Sequence, residues 1–152
     1  MSYNATCSHI RELSATEVDR LHERLSQSWQ VQERYWYPLF PERPSHVEAF
    51  QDHYFETEFG YERLRKILTD RNIGIVYELR EDARGFEIPV AELEPYYTGE
   101  EGFWLSETLD WLIYASHESS LTIGGEWLVS AVCEAWPSWR QRLWTSPFYS
   151  RE

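Results

Sequence analysis

The sixteen residues from Asp110 to Gly125, DWLIYASHESSLTIGG, decide the fold of this chain. The first seven carry apolar side chains on both faces of an extended strand, which is typical of a strand in the interior of a sheet. His117-Glu118-Ser119 predicts a tight turn, because short polar residues favour turns. Ser120–Ile123 then predicts the returning strand, and Gly124-Gly125 favours an abrupt change from strand to helix.

Further strands are predicted on the N-terminal side of this hairpin. Ile75–Arg80 and Phe86–Pro89 are rich in β-branched and aromatic residues, and the turn sequence Asp82-Ala83-Arg84-Gly85 separates them. A short strand is predicted over Phe103–Ser106. These segments add up to an antiparallel sheet of four or five strands.

Helices are predicted on both sides of the sheet-forming region. Ser14 and Glu17 have the spacing of a capping box, and apolar residues follow at helical intervals. Similar signals predict a second helix from Ser45 to Phe55, a third over about 57–70, and two more after Gly125 and Pro137. The sequence therefore predicts one α+β domain over 1–152, with N-terminal helices, the antiparallel sheet and C-terminal helices packed on it; residues 1–12 are expected to be loosely ordered.

Composition excludes several classes of protein. The 152 residues include 26 Asp and Glu against 14 Lys and Arg, a net charge of −12, and 16% are aromatic. So many apolar and aromatic residues argue against disorder, and the negative charge argues against nucleic-acid binding, which needs a basic surface. No apolar run approaches the length of a membrane span, and the first residues lack the pattern of a secretion signal. We therefore expect a cytoplasmic protein without a membrane segment.

The negative charge is concentrated in one part of the chain. Residues 78–134 hold 13 acidic and two basic side chains, and residues 85–139 contain no Lys or Arg. Carboxylates that steer an encounter, together with aromatic anchors, are typical of a surface that binds a basic protein. The candidate contacts lie on a predicted loop and the strand that follows it: Glu92, Glu94, Tyr96, Tyr97, Glu100, Glu101 and Trp104.

The leading functional hypothesis is therefore a small binding protein for a basic partner. Its narrowest form is an immunity-type inhibitor that covers the nucleic-acid groove of a cationic toxin or nuclease. An interaction or scaffold protein without an inhibitory role has the same sequence features, and nothing in the sequence indicates the oligomeric state.

A hydrolase or carbohydrate-binding protein is the alternative from another class. His117, Glu118 and Asp110 are its candidate acid–base residues, because His117 is the one ionisable cation in the basic-free stretch and carboxylate pairs serve glycoside hydrolysis. The surrounding sequence has no G-x-S-x-G nucleophile motif. The histidine spacings predict no metal site, and no motif predicts a cofactor.

Overall fold

The computed structural model describes residues 10–32, 35–40 and 42–145, and within them seven antiparallel strands form one open sheet. The spatial order of the strands is β1-β4-β3-β5-β6-β7-β2. In chain order they are β1 (Arg11–Glu12), β2 (Val47–Gln51), β3 (Ile75–Arg80), β4 (Gly85–Pro89), β5 (Gly102–Leu105), β6 (Leu112–Ala115) and β7 (Ser120–Gly124). The N-terminal stretch expected to be loose thus contributes β1, while residues 1–9 lie outside the described part.

Four α-helices accompany this sheet in the described residues. They are α1 (Ala15–Trp29), the single turn α2 (Asp52–Tyr54), α3 (Tyr61–Asp70) and α4 (Glu126–Ala135). A π-helical turn, Phe55–Phe59, continues α2, and 3₁₀ turns occupy Val90–Glu92 and Trp139–Arg142. The α+β class is confirmed.

The sheet has a hydrophobic core on each face. Tyr114 of β6 points into the core that contains α1, whereas Ile113 points into the core that contains α3 and α4. All residues of β5, β6 and β7 are buried, because helices cover both faces of these strands. The interior hairpin predicted from residues 110–123 is therefore confirmed.

The capping signal at the start of α1 also agrees with the structure. The Ser14 hydroxyl accepts a hydrogen bond from the Glu17 backbone N–H at 3.2 Å. The Glu17 carboxylate in turn accepts one from the Ser14 backbone N–H at 2.8 Å. Both partners of the capping box are present, and α1 begins at the next residue, Ala15.

The helix predicted from Ser45 to Phe55 is wrong, because this segment contains β2. Val47–Gln51 pairs antiparallel with β7, from Val47 opposite Gly124 to Gln51 opposite Ser120. Val47 then packs in one core and Phe50 in the other. This distant pairing outweighs the local capping pattern, and with β1 it raises the number of strands from the predicted four or five to seven.

The helix predicted after Pro137 is also wrong. Only the 3₁₀ turn Trp139–Arg142 forms there, and the chain then becomes extended beside β2. Leu143 forms a β-bridge with Phe50, and the Trp144 backbone N–H donates to the Ala49 carbonyl at 2.8 Å. Residues 143–144 therefore lie along the outer edge of β2.

Candidate functional site

The predicted partner-contact residues separate into two regions of the structure. Four of them line a cavity of about 250 Å³, the acidic groove, on the face of β3, β4 and β5 opposite α1. These four are Glu92, Glu94, Tyr96 and Trp104. The other three, Tyr97, Glu100 and Glu101, are absent from its lining.

Trp104 and Arg80 form the fixed inner wall of the acidic groove. The Trp104 indole N–H donates to the Glu78 carboxylate at 3.0 Å. Arg80 pairs with the other oxygen of Glu78 and lies 4.8 Å from the Phe86 ring centre. The charge of Glu78 is thus neutralised inside the chain, and the inner wall is aromatic.

The rim of the acidic groove keeps its negative charge. Glu94 has a side chain 58% exposed, and its only basic neighbour in the described residues, Arg65, is 3.9 Å away. Glu92 makes no ion pair within the described part of the chain. Tyr96, with 47% of its surface exposed, is one of three exposed large apolar side chains there. The Glu94 carboxylate and the Tyr96 ring are therefore open to a partner, and the half-buried Glu92 lies without an ion pair in the same lining.

Two residues predicted as surface contacts are buried. Trp104 is 3% exposed, because β5 lies between β3 and β6 and its side chain packs beneath α3 and α4. Glu101 is 1% exposed, because it enters β5 between the ends of the same two strands. The surface role predicted for Glu101 and Trp104 is wrong in that respect, although Trp104 still lines the acidic groove.

Arginines lie near several other carboxylates of residues 78–134, here called the acidic stretch; Arg11 and Arg20 come from outside it and Arg84 from within it. Glu87 pairs with Arg11 at 2.8 Å, and Glu107 lies 3.8 Å from Arg20. Glu100 lies 3.8 Å from Arg84. The negative charge that is concentrated in this part of the sequence is thus partly neutralised by neighbouring arginines in the folded chain.

The buried Glu101 is the centre of a hydrogen-bonded network with Tyr114 and His117, here called the histidine network. One carboxylate oxygen accepts from the Tyr114 hydroxyl. The other accepts from the His117 backbone N–H at 2.8 Å and contacts the His117 Nδ1 atom. The Glu101 backbone is tied to Glu81, whose carboxylate accepts its N–H at 2.9 Å. These contacts fix the β6–β7 turn to the start of β5.

The same contacts shift two ionisation equilibria. Hydrogen bonding to Glu101 raises the pKa of His117 against the opposing effect of burial, and Glu118 and Glu81 add to the increase. Burial, followed by the Glu101 carboxylate, raises the pKa of Tyr114 far above its usual range. Tyr114 therefore stays protonated as a hydrogen-bond donor, whereas the pKa of His117 lies above that of an ordinary histidine side chain.

The outer side of the His117 ring faces a second cavity, the histidine cleft. It has a volume of about 470 Å³ and contains no Lys or Arg among its described lining residues. His117 Nε2 lies 3.4 Å from the Glu118 carboxylate on its border. Its lining residues include Gln51, Asp52, His53, His117, Glu118 and Trp144.

Of the three predicted acid–base residues, the structure brings His117 and Glu118 together and leaves Asp110 elsewhere. Asp110 lines another cavity, where it accepts hydrogen bonds from the Trp127 indole at 2.9 Å and the Thr108 hydroxyl at 2.5 Å. These bonds lower its pKa against the effect of burial. Asp110 therefore holds a loop together and does not belong to the histidine cleft.

Sequence reasoning missed the residues opposite His117. Asp52 and His53 lie in the single turn α2, which follows β2 directly, and not in a longer helix from Ser45. The pairing of Gln51 with Ser120 brings them beside the β6–β7 turn. Trp144 arrives from the C-terminal segment, where its indole donates to the Glu118 carbonyl at 2.8 Å. These residues could have been placed beside His117 only if β2 had been predicted as the strand that pairs with β7.

The described residues contain neither a metal-binding cluster nor a membrane-spanning helix. Across residues 10–32, 35–40 and 42–145, no three His, Cys, Asp or Glu side chains are grouped so as to hold a metal ion. In the same residues, no helix combines the length and the apolarity needed to cross a membrane. Comparisons with protein-family models, curated proteins and solved structures found no match.

Proposed function

We propose that this chain binds a basic protein through the acidic groove. The observation that supports it is the exposed carboxylate of Glu94, which lines the groove together with the half-buried Glu92 and the exposed ring of Tyr96. A cavity of about 250 Å³ with an aromatic wall suits one long basic side chain. Carboxylates on the rim would steer the encounter, while the tyrosine and the groove wall would supply desolvated contact.

The intramolecular ion pairs narrow this proposal to one surface. Several carboxylates elsewhere in the acidic stretch already face Arg11, Arg20 or Arg84. A partner would have to displace these arginines in order to use those carboxylates. The rim of the acidic groove requires no such exchange, apart from the loose contact of Glu94 with Arg65.

The test compares two variants with the same change in charge. Glu92→Gln combined with Glu94→Gln removes the rim charge of the groove. The control, Glu126→Gln with Glu134→Gln, removes two exposed carboxylates of α4 that make no ion pair in the described structure. Each protein is immobilised and exposed to a lysate at about 50 mM and about 500 mM salt, and any captured protein is then purified and its Kd measured.

We expect a basic protein that is retained at low salt by the unchanged chain and by the control. The groove variant should lose about tenfold in affinity, or about 1.4 kcal/mol. Equal binding by the groove variant, or binding insensitive to salt, would overturn the proposal. If the partner is a nuclease or toxin that loses activity when bound, the immunity-type role is supported; a partner that stays active indicates an interaction or scaffold protein.

A further inference from the structure

A buried carboxylate determines how the His117 ring is presented. Glu101 is 1% exposed, and burial of a charged group is costly unless hydrogen bonds replace its water. The Tyr114 hydroxyl and the His117 backbone N–H supply two such bonds. An ionised carboxylate has no proton to donate, so the Nδ1 atom of His117 that contacts it must be the donor. Nδ1 therefore carries a proton. In the neutral ring, the lone pair is therefore at Nε2.

His117 lines the histidine cleft, and its Nε2 atom has one polar neighbour in the described structure, the Glu118 carboxylate. Its distance to the Glu118 carboxylate, 3.4 Å, exceeds the usual hydrogen-bond range of about 2.7–3.2 Å. The side chain as a whole is 46% exposed. A ring fixed on one side by a buried carboxylate and open on the other is the arrangement that proton-transfer histidines use.

The lining of the histidine cleft disfavours anionic molecules. Asp52 and Glu118 repel anions, and no Lys or Arg of the described lining residues offsets them. The ring of Trp144 offers an apolar wall, and the Gln51 amide a polar contact. A volume of about 470 Å³ falls within the range of small-molecule sites, about 300–1,000 Å³.

We propose that His117 is the general base of a hydrolytic site for small uncharged carboxylic esters in the histidine cleft. Nε2 removes a proton from water as the water oxygen bonds to the ester carbonyl carbon. The same proton then passes to the leaving oxygen as the carbon–oxygen bond breaks, which yields one acid and one alcohol. Glu101 stabilises the imidazolium that exists between these two steps. This activity is independent of partner binding at the acidic groove.

The charges around His117 determine the pH dependence of this activity. Glu101 and Glu118 contact the ring, Glu81 lies behind Glu101, and the Tyr35 ring is edge-on with its centre 6.4 Å away. Asp52 and His53 lie across the cleft. The carboxylates raise the pKa of His117 above its ordinary 6.5. Because the neutral ring is the base, the rate should rise with pH through a midpoint above 6.5.

The experiment measures hydrolysis of p-nitrophenyl acetate by the full chain and three variants. His117→Gln removes the base, and Glu101→Gln keeps the shape of the buried group but removes its charge. His46→Gln is the matched control, because His46 is an exposed histidine that is not part of the cleft lining. Far-UV circular dichroism establishes that each variant is folded.

We expect the unchanged chain and His46→Gln to hydrolyse the ester at equal rates, at least about 100-fold above His117→Gln. Glu101→Gln should be slower than the unchanged chain, with its midpoint shifted to lower pH. The inference is overturned if His117→Gln retains the full rate, or if the unchanged chain is no faster than free imidazole at the same concentration. The pH profile of the unchanged chain tests it without any variant, since a midpoint at or below 6.5 also contradicts it.

Discussion

Gly124 lies where two tryptophan rings approach the backbone of β7. A Cβ atom at this position would lie 2.7 Å from Trp36 and 3.3 Å from Trp29. The two rings themselves pack edge to face, with centres 5.7 Å apart, and each indole N–H donates to a backbone carbonyl. Neither ring is free to withdraw, so the absence of a side chain at Gly124 is what allows the loop after α1 to reach the sheet.

We therefore expect Gly124→Ala to destabilise the fold. The added methyl group would force Trp36 out of its position, at a cost of about 1–3 kcal/mol in the free energy of unfolding. Urea unfolding followed by tryptophan fluorescence measures this change. Gly74→Ala is the control, because its Cβ would meet no atom within 4 Å. Equal midpoints for the two variants would contradict the steric explanation.

At the level of single residues, the histidine that we propose as a base could be singled out from the sequence, but its contact with Glu101 could not. His117 could be predicted because it is the one histidine within a long stretch that lacks Lys and Arg. Glu101 could not, because its burial depends on Arg80 and Ala115, which flank the start of β5 in the sheet. Neither neighbour is close to Glu101 in the sequence. A pattern of local composition consequently placed this carboxylate on the surface.

Among the helical elements, the π-helical turn Phe55–Phe59 is tied to the C-terminal 3₁₀ turn by one carboxylate. Glu58 accepts hydrogen bonds from Arg142 at 2.9 and 2.5 Å, from the Trp136 indole at 3.3 Å and from the Ser138 hydroxyl at 3.4 Å. The same arginine lies 3.8 Å from the Tyr54 ring centre. Glu58 thus connects the π-helical turn to the segment between α4 and the C-terminal 3₁₀ turn.

The ion pair between Glu58 and Arg142 should make the free energy of unfolding depend on pH. Arg142 holds the pKa of Glu58 below its ordinary 4.5, so the pair stabilises the fold above that value and loses its effect as the pH falls. The unfolding free energy of the unchanged chain should therefore fall more steeply between about pH 5 and pH 3 than that of Glu58→Gln. Urea unfolding across this range measures both slopes. Parallel curves would show that Arg142 does not stabilise the charged form.

Elements defined by local signals were predictable, and elements defined by distant pairing were not. The capping box of α1 and the β6–β7 hairpin involve residues a few positions apart. β2 instead depends on β7, whose sequence lies about seventy positions further along the chain. Because the position of Asp52 beside His117 also follows from the β2–β7 pairing, it could not be predicted from local sequence.

Across the whole molecule, arginines of the N-terminal half lie opposite carboxylates of the acidic stretch. Arg11 pairs with Glu87, Arg20 lies near Glu107 and Arg65 lies near Glu94. Most of these pairs are exposed, and such pairs contribute only about 0–1 kcal/mol each. With a net charge of −12, we expect repulsion among the remaining carboxylates to outweigh these pairs.

Salt should consequently stabilise the folded chain. Raising NaCl from about 10 mM to about 200 mM shortens the range of the repulsion more than it weakens close pairs. We expect the thermal midpoint to increase over this interval, as measured by circular dichroism. KCl at equal ionic strength is the control and should give the same increase. A midpoint that falls with salt would show that the ion pairs dominate.

The two edges of the sheet also bear on how the protein behaves at high concentration. One edge strand, β2, is covered by Leu143 and Trp144, and the other edge in the described residues is the two-residue β1, whose side chains are both charged. An uncovered apolar edge strand is a template for addition of strands from other chains. Short, charged or covered edges remove that template, so the native state of this aromatic-rich chain is protected against edge-to-edge aggregation.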